Sequence, residues 1–154
     1  MFESKKVTWF PSYGAEMRGG TANCTVIISN TMIGSPVVFT PDILVVMNMA
    51  SLDKFQPQLR NKGLLFYDSS LIRKPVLRKD VRAVPVPATE IAGSAGNTKA
   101  ANMVMLGALI AKTALLKKSS IAGVFGDPAG TIGKTVSKLN ADAIREGMRY
   151  IETT

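Results

Sequence analysis

Short apolar runs alternate along the chain with segments of helical character. Val7–Phe10 and Cys24–Ser29 read as strands. So does Ile43–Met47, which lacks polar alternation and so fits a strand covered on both faces of a parallel sheet. Ser51 then opens a helix as its N-cap, with Asp53 in the electropositive first turn. Pro57 keeps that helix short, because proline cannot donate to the carbonyl four residues back. Lys62-Gly63 ends it and Leu64–Tyr67 forms the next strand. A strand, helix, strand unit crosses over right-handed, which makes its strands parallel. The basic stretch Leu71–Asp80 reads as an exposed connection, and Val81–Val86 as a return to the sheet ended by Pro85 and Pro87. Thr89–Ala92 begins a helix stopped near Gly93–Gly96.

Lys99–Leu116 is the strongest helix, apolar on most faces and carrying the small residues Ala101, Gly107, Ala108 and Ala111. A helix apolar all round needs a cover beyond one sheet, which suggests a subunit interface. The last helix, Val136–Ile151, is amphipathic, with Val136, Leu139, Ala143, Ile144, Met148 and Ile151 on one side. The order of elements is that of an α/β domain, a mostly parallel sheet with helices on both faces.

Composition narrows the function. A chain of 154 residues, 46% hydrophobic and 19% charged, makes one globular domain over residues 1–154. It has no histidine, one cysteine and a net charge of +8. Those counts exclude a Ser-His-Asp triad, a His-paired thiol, a His-bearing metal site, a CxxC pair and an iron–sulfur cluster held by this chain alone. No catalytic residue and no metal ligand stands out, so the chemistry belongs to a cofactor or another polypeptide. Cys24 reads as a small buried hydrophobe in a reducing cytosol, the alternative being a reactive thiol. Met1–Lys6 lacks the apolar core of a signal peptide, and Met103–Leu116 is too short and too polar to span a bilayer. The chain is expected in the cytoplasm, away from membranes.

Three segments could carry chemistry. Between the first two strands lies Pro11–Asn23, where Gly19-Gly20 lets backbone amides approach an anion and Arg18 can pair with phosphate or carboxylate. Tyr13, Glu16, Arg18, Gly19, Gly20, Thr21 and Asn23 are its candidate binding residues. Against this, the glycines could serve tight turns alone, and Glu16 with Arg18 a structural ion pair. The second segment, Gly96–Asn102, opens the long helix, and its amides favour an anion, with Asn97, Lys99 and Asn102 adding side chains. The plainer reading makes Asn97 or Thr98 an N-cap. The third, Gly126–Thr135, ends in Gly-Lys-Thr like a phosphate-binding P-loop, but the required first glycine falls at Pro128, so it reads as a turn. The cations between residues 71 and 82 lack the interleaved aromatics of a nucleic-acid surface and read as a solvated or inter-subunit face.

The run Val7-Thr8-Trp9-Phe10-Pro11-Ser12-Tyr13-Gly14-Ala15-Glu16-Met17-Arg18-Gly19-Gly20-Thr21-Ala22-Asn23-Cys24 and onward to Ser29 closely resembles the gamma subunit of 2-oxoacid:ferredoxin oxidoreductases, above all the 2-oxoglutarate and branched-chain types. The likeness continues through Ser35-Pro36, Pro41-Asp42, Ser51–Phe55, Pro87–Ala92, Gly96–Lys99 and Asn102–Val104. It implies a Rossmann-like domain in an enzyme that converts a 2-oxoacid, coenzyme A and oxidised ferredoxin into acyl-CoA, carbon dioxide and reduced ferredoxin, with 2-oxoglutarate the favoured acid. Coenzyme A would be bound with help from this chain, while thiamine diphosphate, magnesium and iron–sulfur clusters belong to partner subunits. The implied partners are alpha and beta subunits, with delta as a further candidate, and ferredoxin through the complex. Met1–Lys6 stands where family members carry a strand, a GxGGQG turn and a helix, so the domain reads as incomplete at its N-terminus. The expected ligand edge gathers Tyr13–Asn23, Asn48–Ser51, Asp68–Ser70 and Pro87–Glu90 at the C-terminal ends of parallel strands. The alternatives are a purely structural subunit without ligand contacts, or a branched-chain 2-oxoacid or pyruvate enzyme.

Overall fold

A computed structural model of the chain describes residues 3–12, 21–73, 78–125 and 134–154. Three strands, β3 (Ile43–Val46), β4 (Leu64–Asp68) and β5 (Arg82–Val86), form a parallel sheet in the order β3-β4-β5. The parallel pairing of β3 and β4 agrees with the crossover rule. β1 (Lys6–Ser12) and β2 (Asn23–Ser29) depart from the expected parallel pattern. They pair with each other, antiparallel, from Lys6 opposite Ser29 to Ser12 opposite Asn23, as a two-stranded ribbon outside the three-stranded sheet. Ten residues, 13–22, separate Ser12 from Asn23, fewer than the dozen or more that a parallel crossover needs, in keeping with the antiparallel return of β2 along β1.

Helices cover both faces of the parallel sheet. On one face α1 (Met49–Phe55) packs Leu52 against Val46, Leu59, Leu65 and Ile72. On the other, Phe66, Val84 and Val86 meet Ala88 and Ala92 of α2 (Ala88–Ser94), Val104, Met105 and Ala108 of α3 (Ala101–Thr113), and Ala143 of α5 (Lys134–Glu152). A smaller cluster joins Ile110, Ile144 and Ile121 of α4 (Lys118–Phe125). The sequence is therefore read correctly in β4, whose residues alternate between the two clusters. The second cover of α3 comes from α5 of the same chain rather than from another subunit, and Leu139, assigned to the buried side of α5, is 39% exposed.

Local boundaries follow identifiable hydrogen bonds. α1 begins at Met49 because Asn48, not Ser51, is its cap: Asn48 Oδ1 accepts from Ser51 N–H at 2.8 Å, which buries Ser51 in the first turn and moves Asp53 to the second. Pro57 converts the end of α1 to a 3₁₀ turn, Gln56–Gln58. α2 closes with Asn97 N–H bonded to Ala92 O and Gly96 N–H to Gly93 O, a pattern that needs the left-handed φ of +84° at Gly96. Pro85 lies inside β5, opposite Tyr67, rather than ending it, which an outer strand tolerates because one side of its ladder needs no donor. Arg78 is not a solvated cation. It ties two loops together, donating to Gln56 O, to Leu59 O at 2.5 Å and to Asn61 Oδ1 while paired with Asp80, whose carboxyl it holds below its usual range.

The ribbon is tied to the helical body through Glu3, whose carboxylate accepts from Ser120 Oγ and Lys117 N–H, each at 2.7 Å, at the start of α4. These bonds hold its pKa below the ordinary value. A lowered folded pKa makes the tie complete above the ordinary carboxylate pKa and lost as pH falls through the lowered value. A carbon-13 titration of Glu3 will show that lower midpoint in the folded chain, and Ser120→Ala will return it toward normal.

The closest packing is between α3 and α5. A Cβ on Gly107 would overlap the Ile144 carbonyl, and one on Gly147 would overlap the Val104 carbonyl. Gly107→Ala or Gly147→Ala should each cost about 2–3 kcal/mol by urea unfolding. Gly34→Ala, whose Cβ meets nothing within 4 Å, should change stability by less than about 0.5 kcal/mol.

Candidate functional site

Three of the four expected loop segments do gather at the C-terminal edge of the parallel sheet, around one residue. Asp68, the last residue of β4, is fully buried. Its Oδ1 accepts from Ser70 N–H at 3.0 Å and from Thr89 N–H at 3.4 Å, and its Oδ2 from the Thr89 hydroxyl at 2.5 Å. Ser70 Oγ accepts from Glu90 N–H at 3.1 Å, and Ser69 N–H bonds Val86 O at 2.9 Å. A buried carboxylate costs several kcal/mol unless its lone pairs are engaged. Here the loop after β4 and the first turn of α2 are wrapped around it to engage them, which makes this edge rigid. Asn48, capping α1 after β3, lies along the same edge. The sequence marks the loops but not their hub. The available signal was a carboxylate closing an apolar strand and followed by two serines.

The fourth segment is placed differently. Tyr13, Glu16, Arg18, Gly19 and Gly20 lie outside the described residues, and so does Gly126–Gly133 of the P-loop-like run. Ser12 and Asn23, which flank the segment, stand opposite each other at the end of the ribbon. Of its residues that are described, Asn23 is exposed at the start of β2. Thr21 is half-buried, and its hydroxyl oxygen is enclosed without a hydrogen-bond partner among the described residues. Cys24 is exposed on β2, so the expected burial of its thiol fails: the ribbon has no sheet behind it.

Asn97 and Asn102 stand together at the approach to α3, apart from the ribbon. Asn97 Oδ1 accepts from Lys99 N–H at 3.2 Å and caps the 3₁₀ turn Thr98–Ala100, as the plainer reading expects. That side-chain oxygen takes an amide an anion would need. Asn102 is exposed, with Oδ1 accepting from Met103 N–H at 3.0 Å. Asn97 also lines a cleft of about 550 Å³ between α2 and α5. Its walls carry Glu90, Asp142, Glu146 and Arg149, and Arg149 is already paired with Glu146. Asp142 is paired with Arg145 as well, which leaves Glu90 as the wall carboxylate outside these two ion pairs and no cation of the lining free for a polyphosphate.

The donor set does not fit a metal or cluster held by this chain: it has no histidine and one cysteine, and no group of three or more His, Cys, Asp or Glu stands together among the described residues. No helix among them is long and apolar enough to cross a membrane.

Residues 1–150 match the pyruvate ferredoxin/flavodoxin oxidoreductase family. The chain belongs to that family. This member is 46% identical over 109 residues to the ketoisovalerate oxidoreductase subunit VorA of Methanothermobacter thermautotrophicus, covering 71% of this chain and 22% of the relative. It thus spans about a fifth of that protein. It is 33% identical over 140 residues to the 2-oxoglutarate synthase subunit KorC of Methanocaldococcus jannaschii, covering 88% of this chain and 75% of the relative. The keto/oxoacid ferredoxin oxidoreductase gamma subunit of Geobacter sulfurreducens superposes with a TM-score of 0.81 at 25% identity, covering 99% of this chain and 84% of that one. A 2-oxoglutarate:ferredoxin oxidoreductase of Magnetococcus marinus, solved with 2-oxoglutarate, coenzyme A and succinyl-CoA, shares the fold at TM-score 0.85 and 23% identity, over 97% of this chain and 26% of that one. The gamma-subunit resemblance, read over most of residues 7 to about 116, agrees with these relatives.

In this family member, Asp68→Ala should cost about 3 kcal/mol, because it strands two backbone N–H groups and the Thr89 hydroxyl. Asp68→Asn should cost about half as much, since the amide keeps one acceptor. Urea unfolding measures both.

Proposed function

We propose that this chain is the gamma-type subunit of a cytoplasmic 2-oxoacid:ferredoxin oxidoreductase, forming acyl-CoA, carbon dioxide and reduced ferredoxin from a 2-oxoacid and coenzyme A. The observation that carries this reading is the family match over residues 1–150. The partners are the alpha and beta subunits, with delta as a further candidate, and they hold thiamine diphosphate, magnesium and the iron–sulfur clusters. Thiamine diphosphate supplies the carbanion chemistry and the clusters take up the electrons. A chain with no histidine and one cysteine is suited to a supporting part in that chemistry.

That part is to hold coenzyme A and help close the active site. Arg18 and the amides of Gly19, Gly20 and Thr21 hold a phosphate or orient the thiol-bearing end, and Tyr13, Glu16 and Asn23 shape the segment. Adjacent glycines beside an arginine support this assignment, since they let amides and a guanidinium reach one anion together. Asn102 is the reserve contact; Asn97 is committed to its cap.

For the acid, 2-oxoglutarate is the first reading, supported by KorC relatives that align over 88–90% of this chain. A branched-chain 2-oxoacid is the second, favoured by the higher identity, 46%, to the ketoisovalerate subunit. With alpha and beta subunits present, a panel of 2-oxoacids assayed by ferredoxin reduction separates the two.

In that assembled enzyme, Arg18→Ala should raise the apparent KM for coenzyme A roughly tenfold or more, the size of one lost charge-assisted bond, while leaving the KM for the 2-oxoacid within about twofold. Unchanged coenzyme A kinetics would instead support a purely structural subunit.

A further inference from the structure

At the end of the sheet away from Asp68, the N-terminal ends of β4 and β5 meet the C-terminal ends of α3 and α5 around a second cleft, of about 330 Å³. Leu64, Val84 and Ile151 give it an apolar floor, and Arg82, Lys112 and Tyr150 stand on its walls. Side chains alternate along a strand, so Arg82 shares the face of Val84 and Val86, the face that α3 and α5 cover. A guanidinium thus continues the line of two core valines at the rim of the helical layer. Lys112 comes from the last turn of α3, and both cations are exposed at the mouth of the cleft. Arg60, Arg78, Arg145 and Arg149 each hold a carboxylate. Arg82 and Lys112 hold none among the described residues, the Tyr150 hydroxyl has no hydrogen bond there, and no aspartate or glutamate lines the cleft. The helix ends beside it are closed: Tyr150 O accepts from the Thr153 and Thr154 hydroxyls at 3.1 and 2.8 Å, and Ile110 O from Ala114 N–H at 2.9 Å. That blunts the negative ends of both helices, which would otherwise oppose an anion.

We propose that this cleft binds a short dicarboxylate, with one carboxylate on Arg82 of the strand wall and the other on Lys112 of the helix wall. The guanidinium fork matches a carboxylate edge, and the ammonium supplies a second point of charge. Two cations on separate elements suit two separated charges better than one compact anion. The carbon chain between them lies over Leu64, Val84 and Ile151, which reward burial of carbon and give nothing to a bare phosphate. The volume is at the small end for ligand pockets, which sets the ligand at a few carbons. The proposal does not rest on the coenzyme A assignment.

Succinate, butyrate and inorganic phosphate are each titrated into the full chain at low ionic strength, followed by proton–nitrogen-15 spectra that include the arginine Nε–H groups. Succinate should give saturable shifts at Arg82, Ala83 and Tyr150, with an affinity at least about tenfold above that of butyrate or phosphate. Arg82→Gln and Lys112→Gln should each weaken succinate about tenfold, the size of one lost charge-assisted bond, without moving the unfolding midpoint. Arg73→Gln, which removes an exposed cation from the loop after β4, should leave the affinity within about twofold. Absence of a saturable shift, shifts centred on other residues, or parental affinity in either cleft variant overturns the site. An equal loss in Arg73→Gln overturns it in favour of general attraction to a chain carrying +8. Phosphate or butyrate binding as tightly as succinate overturns the dicarboxylate, and that comparison needs no variant.

Discussion

At the crossing of α3 and α5, backbone touches backbone. Gly107 lies against the Ile144 carbonyl and Gly147 against the Val104 carbonyl, each glycine making room for the other helix. No pair of larger residues allows so short a separation. The rest of the helical layer depends on it: α2 rests on α3 and α5, and all three close over Phe66, Val84 and Val86 of the sheet. The small residues Ala101, Ala108 and Ala143 around the crossing extend the same tight fit. Gly107 and Ile144 stand about 37 positions apart in the chain, so this crossing is a non-local contact.

Elements set by periodicity and by proline or glycine were legible in the sequence. Leu64–Tyr67 is legible as a strand, and Pro57 and Gly96 end α1 and α2 as their backbone chemistry requires, whereas Ile43–Met47, expected to be covered on both faces, is an outer strand with Val45 40% exposed. What escaped was decided by side chains acting at a distance. Ser51 and Asn48 are both good caps, and only the bond from Ser51 N–H to Asn48 selects between them. Arg78 looks like one cation among several until its four acceptors on two loops are seen. Leu139 fits the apolar period of α5, yet the period does not reveal how far a helix extends beyond its neighbours.

The candidate site was legible in a different way. Loops after parallel strands meet by topology, so Asn48, Ser70 and Thr89 were bound to converge, but the residue that binds two of those loops together is Asp68. The antiparallel return of β2 was the larger departure. A run of β-branched residues specifies a strand without specifying its partner, and here the nearest strand in sequence takes it. The result is a body whose polar order is internal and a ribbon whose apolar side faces outward.

Pro85 gives the three-stranded sheet a sided character. As an outer strand, β5 offers one edge to any further chain, and at Pro85 that strand has no amide hydrogen to give. An incoming strand would find its ladder interrupted at the penultimate residue of β5. Such a gap is among the simplest protections against runaway edge-to-edge aggregation, and here one proline in the outer strand supplies it.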